Sequence, residues 1–374
     1  MKIIFISNFY NHHQSGISRK LYELTSGQYR FVATEEIPEE RKKMGYSGID
    51  DEFVVQYGVD PVQDCQISRW IDEAEAIIIG SAPEHLIQNR KKQRKLILRY
   101  SERPLKNGFQ FWKYPLRWVR WHYLNPPGAP IYMLCASAYT ALDYRKFGLF
   151  RNKALKWGYF PICKKYEHPE HMIAQKNVEE ILWCGRFLDW KHPDDALSLA
   201  DRLKKEKYHF HLTMIGTGEM EEQLKDLVSE YGLGEFVTFA GAMSPEQVRL
   251  SMERAGVYLM TSDRKEGWGA VLNEAMNSGC AVVASREAGS TPYLVQDGIN
   301  GSVYTPCRMD ELYEKVRFLL EHPDEQKRRG KAAYHTIVET WNEEIAALRI
   351  LNLIDLINNG EVGDIFRDGP CSRA

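Results

Sequence analysis

The chain has 374 residues, 44% of them hydrophobic and 27% charged, which makes it too long for one ordinary hydrophobic core and too apolar for a disordered chain. Two globular domains are therefore expected. No run of about 18 apolar residues offers a membrane span, and seven scattered cysteines with no C-x-x-C pair argue against a zinc cluster or a secreted disulfide scaffold and fit a reducing, cytoplasmic compartment.

Residues 1–7 carry a charge and an apolar run, but the run ends in Asn8, Tyr10, Asn11, His12 and His13, so it reads as a buried strand and not as a signal peptide. Further short apolar runs at 29–34, 76–79, 95–100 and 131–135 alternate with helical patterns, as in a parallel sheet covered on both faces. The loop after the first strand, 8–18, places Gly16 near a helix start, where it can face a diphosphate. His12 and His13 offer hydrogen bonds or proton transfer, although adjacent histidines are more often polar loop residues.

The formal net charge of −2 is unevenly spread. Residues 90–122 hold eleven Lys or Arg against one Glu, interleaved with Trp112, Trp118 and Trp121. Cations that attract anionic headgroups, beside tryptophans that settle at an interface, point to an anionic membrane surface as partner for residues 90–123; a solvated basic helix is the bland alternative. A peripheral position on the inner face of the plasma membrane would follow. No RNA-binding signature accompanies the stretch, and no nucleic-acid partner is expected.

The first domain is placed at 1–165, with a linker around Pro161. Strand–helix alternation restarts near Val178 and gives a second domain at 178–340, with strands at 180–184, 209–215, 237–240, 256–260 and 280–284. Residues 341–374 form a terminal helix and tail, and the helical stripe Ile345, Leu348, Leu351, Leu353, Ile354 and Ile357 needs a partner surface.

Chemistry is concentrated in the second half. Residues 183–191 begin as a buried strand and turn at Gly185, leaving Arg186 and Lys191 at the carboxyl edge, where open parallel sheets bind ligands. Two cations there can hold a diphosphate and stabilise charge as it leaves, though taken alone they are ordinary surface charges. Gly216 and Gly218 follow a strand and open a helix, and 239–243, ending at Met243, precedes a capped helix at Ser244; either loop can present backbone to a base, and packing alone would also explain them. The strongest signal is 266–279. Gly267 and Gly269 allow close backbone approach, a helix runs from Ala270 to a stop at Gly279, and Glu266 and Glu274 border the helix start. A phosphate suits the helix tip and sugar or ribose hydroxyls suit the glutamates. A full G-x-G-x-x-G after the first strand and a G-x-x-x-x-G-K-[ST] are both absent, which weakens dehydrogenase and P-loop readings.

Those motifs, in register over 183–304, resemble the donor domain of family 4 glycosyltransferases, enzymes of the GT-B fold. The resemblance implies an α/β architecture of two Rossmann-like, doubly wound parallel-sheet domains facing a cleft. It implies a retaining transfer from a nucleotide diphosphate sugar, a UDP-sugar ahead of a GDP-sugar, to a glycan or lipid-linked acceptor in envelope or exopolysaccharide synthesis. No tightly bound cofactor and no metal are implied. Position by position, Arg186 and Lys191 would hold the diphosphate, Glu274 the ribose, and Glu266 the transferred sugar. Gly267, Trp268, Gly269, Ala270 and Val271 would give backbone contacts, with Gly16 in the first-domain diphosphate loop. The terminal helix would return to the first domain. Departures are Ser15-Gly16 where many relatives have two glycines, Tyr293 where they have an acid, and His85 displaced within 80–85. A GT-B-type nucleotide-sugar epimerase and a non-catalytic binding protein are the alternative functions.

Overall fold

Residues 1–38, 50–361 and 366–374 are described by the computed structural model. They divide into two compact units, 1–162 with 342–374 and 163–341.

In the first unit, strands β1 (Ile3–Ser7), β2 (Tyr29–Ala33), β3 (Val54–Gln56), β4 (Ala76–Ile79), β5 (Ile97–Ser101), β6 (Ile131–Cys135) and β7 (Ala154–Lys156) form a parallel sheet in the order β3-β2-β1-β4-β5-β6-β7. Every residue of β1, β4 and β6 is buried, which is why these runs are apolar without alternation. In the second unit, β8 (Asn177–Cys184), β9 (His211–Ile215), β10 (Val237–Gly241), β11 (Ala255–Met260), β12 (Ala281–Ser285) and β13 (Ser302–Tyr304) are parallel in the order β10-β9-β8-β11-β12-β13. Each sheet is doubly wound, with its order reversing at the β1–β4 pair or at the β8–β11 pair, so each has a crevice at the carboxyl ends of those strands.

Sequence patterning passes over β3, β7 and β13. All three are three-residue strands at the margins of their sheets, too short for a periodic signal. The stretch at 12–18, expected as loop, is helix: His12–Leu24 begins directly after Asn11, whose side chain accepts from the His13 N–H and caps it.

The terminal helix Glu343–Asn358, capped by Asn342, packs in the first unit against His12–Leu24. Its buried stripe differs from the expected one. Ala346, Ala347, Ile350, Leu353 and Ile354 are covered, whereas Leu348 is 46% exposed and Ile345, Leu351 and Ile357 are half-buried. Small alanines let the two helices approach, and reading the stripe by size alone rotated it by about one position. Beyond the helix, the tail runs along β7: Lys156 N–H donates to Ser372 O, Cys371 N–H to Lys156 O, and Ala374 N–H to Ala154 O.

Residues 90–123 do not form one basic face. Arg90 is fully buried and donates to the carbonyls of Leu96, Ile71, Ala74 and Glu75 at 2.7–3.0 Å, and burial lowers its pKa to about 10. Lys91 and Arg99 are held by Glu84, Arg94 by Gly128 O and Lys95 by Asp72 O. The exposed apolar side chains begin at Phe109 and continue through Phe111, Trp112, Leu116, Trp118, Val119 and Tyr123. Among the described residues no helix is long and apolar enough to cross a membrane.

Candidate functional site

The site is built at the β8–β11 switch point. β8 ends at Cys184 and the chain turns through Gly185 to Lys191; β11 ends at Met260 and the chain turns through 261–269 into the helix Ala270–Asn277. The two turns are tied together. Asp263 N–H donates to Trp190 O at 2.9 Å, Thr261 Oγ1 donates to Lys191 O at 2.6 Å, and Trp183 Nε1 donates to Thr261 Oγ1 at 2.8 Å.

This scaffold brings Lys191 and Glu266 into direct contact, with Nζ to Oε2 at 2.5 Å. Their side chains are only 14% and 11% exposed, so the pair is largely withdrawn from water and its attraction is little screened. Ser262 Oγ donates to the same carboxylate oxygen at 3.2 Å, and the Lys191 ammonium lies 4.8 Å from the Trp190 ring. An ammonium has three donors, and Glu266 takes one of them, so Lys191 retains capacity for an incoming anion. Its stem passes over Gly185, where a Cβ would stand 3.3 Å from Lys191 Cδ.

Glu274 lies on the helix that Gly269 opens, little more than a turn from its start. Gly269 has φ +86°, which favours glycine by conformation, and a Cβ there would fall 2.1 Å from Met260 Cε and displace that methyl group. Burial raises the pKa of Glu274 above the ordinary glutamate value, with Arg249 opposing. The Cys184 thiol, pushed up to about 12 by burial, feels Glu274 and Lys191, while the buried Tyr258 hydroxyl feels both Glu274 and Glu266. Lys191, Glu266 and Glu274 thus surround one sheet edge.

Arg186 leaves the same turn half-buried, and its guanidinium has no hydrogen bond or ion pair among the described residues. Gly216 and Gly218 press the turn after β9 onto this loop: a Cβ on Gly216 would sit 1.9 Å from Gly185 O, and one on Gly218 would sit 2.4 Å from Phe187 O. Their evident task is close backbone packing. Met243 is half-buried just before the capping box of Ser244 and Gln247. Gly267 is buried and Val271 half-buried, while Ala270 opens the helix. Trp268 is fully buried, donates to Asn273 Oδ1 and lies beside Tyr293, which stacks on Trp341. Its side chain is committed to packing. Trp190, Thr261, Ser262 and Tyr258 escaped sequence reading because nothing in their spacing marks them; the run Thr261-Ser262-Asp263 directly after a strand is the one available cue.

Gly16 lies in the first unit, buried within the helix His12–Leu24 and not in a loop, where a Cβ would meet Phe160 O at 3.1 Å and Glu343 Cβ at 3.5 Å. Burial lowers the His12 pKa, the His13 ring stacks on Tyr159 at 5.4 Å, and His85 is exposed with a 3.3 Å contact to the Tyr57 hydroxyl. For a metal ion, the candidate group among the described residues is His192, Asp194 and Asp195, whose ligand atoms lie within 4.8 Å of one another. Asp195 is pushed up to about 6, by burial first, with His192 opposing and Asp194 reinforcing.

Residues 165–336 match the family model described as glycosyl transferases group 1. The second unit carries a group 1 glycosyltransferase domain. An uncharacterized glycosyltransferase of Methanocaldococcus jannaschii is 28% identical to this chain over 168 residues, 45% of this chain and 42% of that protein. A GDP-mannose-dependent alpha-(1-6)-phosphatidylinositol monomannoside mannosyltransferase of Mycolicibacterium smegmatis is 26% identical over 180 residues, covering 46% and 47%. The match thus spans less than half of either curated relative. Across 95% of this chain and 100% of the other, the fold is that of Anabaena HepE, solved with UDP, at a TM-score of 0.70 and 14% identity. The glycosyltransferase domain therefore sits in a chain of GT-B architecture, with two Rossmann-like parallel-sheet domains.

Proposed function

We propose that the chain transfers a sugar from a nucleotide diphosphate donor, held by its second domain, to a glycan or lipid-linked acceptor in envelope or exopolysaccharide assembly, with retention at the anomeric carbon. The observation that carries the proposal is the Lys191–Glu266 pair at the switch point, 2.5 Å apart, with Glu274 beside it. In this reading Lys191 and Arg186 hold the diphosphate, Glu274 takes the ribose hydroxyls and Glu266 orients the sugar. The bond from the anomeric carbon to the phosphate oxygen breaks with its electron pair going to the phosphate. The acceptor oxygen attacks from the same face and its proton passes to the departing phosphate oxygen. The two cations stabilise the charge that develops, an effect worth roughly 10²–10³ in rate for one such group. A UDP-sugar is favoured by the structural likeness to HepE, solved with UDP and with UDP-glucose, while the Mycolicibacterium relative is named for GDP-mannose. The exposed aromatic and basic stretch after β5 supports a cytoplasmic membrane surface as the place of work.

Thermal shift against a panel of UDP- and GDP-sugars, followed by turnover with the best ligand, tests the proposal, because a ligand of the native state raises its apparent stability. A shift is expected with at least one nucleotide sugar, and Lys191→Ala should lower turnover at least about 100-fold with the protein still folded. Chelation of divalent ions should leave the rate unchanged. Full activity in Glu266→Ala, or isomerisation of the sugar with no acceptor present, would defeat the reading.

A further inference from the structure

A cavity of about 310 Å³ lies in the first unit, formed by the chain that leaves the carboxyl end of β5 and by the helix Tyr114–Leu124. That volume is at the small end of the roughly 300–1,000 Å³ typical of ligand pockets. Its lining holds Arg103, Lys106, Lys113 and Arg117 and no carboxylate. Two of these cations are committed elsewhere: Arg103 to Asp143 at 3.4 Å and to the face of Tyr139, and Lys106 to Glu102. The other two are not. The Lys113 ammonium has no ion-pair or hydrogen-bond partner among the described residues, and the Arg117 guanidinium makes one long bond, from Nη2 to Gln110 Oε1 at 3.4 Å. Arg117 Nη1 is buried with no acceptor among the described residues. A guanidinium donor shut away from water without an acceptor costs on the order of 1–3 kcal/mol, and a bound anion would recover it. Flanking the cavity, Phe111, Trp112 and Leu116 expose 80%, 76% and 74% of their surface.

We infer that this cavity binds the phosphate group of an amphiphile, a phosphate monoester or diphosphate at the head of an apolar chain. Lys113 and Arg117 hold the phosphate, and Phe111, Trp112 and Leu116 enter the apolar layer around it. An isolated basic patch would attract any anionic surface, whereas a concave site with two uncommitted donors fits a phosphate with several free oxygens and discriminates against a phosphodiester. The inference rests on the reading of the protein as a glycosyltransferase only in suggesting that this amphiphile is the acceptor or anchors it; the binding itself stands apart from catalysis.

Vesicle sedimentation at physiological salt tests it, comparing phosphatidic acid with phosphatidylglycerol, each at equal mole fraction in phosphatidylcholine. Phosphatidic acid vesicles should carry down several-fold more protein, inorganic pyrophosphate should compete, and Arg117→Gln with Lys113→Gln should lower binding at least tenfold. Arg120→Gln, which removes an exposed cation of the same helix outside the cavity, should lower it less than twofold. Equal loss in Arg120→Gln and the cavity variant, or equal binding to the two anionic lipids, would overturn the site in favour of diffuse charge attraction. Pyrophosphate binding with no vesicle binding would overturn the amphiphile. Nucleotide-sugar thermal shift on the same preparations keeps the second-domain reading separate, since it should be unchanged in every cavity variant.

Discussion

Lys191 and Glu266 illustrate how a long charged side chain is held in one place by its neighbours. A lysine stem carries substantial rotamer entropy, and the contact with Glu266, the overlying path across Gly185 and the Trp190 ring restrict it before any anion arrives. Glu274 shows the opposite balance. Because burial favours its neutral form, its contribution to folding is fully present below the ordinary value of 4.5 and is lost as pH rises through the raised native value. Glu274→Gln should therefore raise the melting temperature at pH 8 by roughly 2–4 °C per kcal/mol recovered, with a smaller gain at pH 5, while weakening nucleotide binding about tenfold, as loss of a charged hydrogen bond does. Differential scanning fluorimetry at the two pH values, with and without nucleotide, reads both effects. Equal melting temperatures at pH 8 would show that the carboxylate costs the fold nothing.

Among the elements, the turns carry more of the design than the strands. Gly216 has φ +134° and lies so close to Gly185 that a methyl group would overlap its carbonyl. Gly216→Ala should cost about 2–4 kcal/mol, combining backbone strain with forced displacement of the loop that bears Arg186. The urea midpoint should fall accordingly with an unchanged slope, and nucleotide affinity should fall with it. The long central strands were legible in the sequence because full burial on both faces leaves uninterrupted apolar runs, as in β1, β4 and β11. The marginal strands β3, β7 and β13 were not, since three residues hold no period. Lys191, Glu266 and Glu274 were legible through glycine spacing around a strand end and a helix start. Thr261, Ser262 and Trp190 were not, because their roles depend on the distance between two loops about 70 positions apart, visible in the bonds from Thr261 to Lys191 and from Asp263 to Trp190. That the basic stretch is divided was not legible, because sequence records the charge of Arg90 and not the four carbonyls that enclose it.

For the whole molecule, the return of the chain to its first unit is what closes the first sheet. Residues 371–374 lie along β7, whose outer edge would otherwise present unpaired N–H and C=O groups, a template for pairing between copies. Removing 370–374 forfeits the three backbone hydrogen bonds to β7, about 0.5–1.5 kcal/mol each, and should lower the melting temperature and raise light scattering on standing; Ser372→Ala, which leaves those backbone bonds in place, should do neither. The same arrangement bears on synthesis. Residues 163–341 are contiguous, whereas the other unit takes its helix Glu343–Asn358 and its tail from the far end of the chain. On the ribosome the later-made domain has all its parts first, and the earlier one waits for them, on the order of 10–40 s at about 5–20 residues per second. During that interval the face of His12–Leu24 that packs on Glu343–Asn358 stands uncovered.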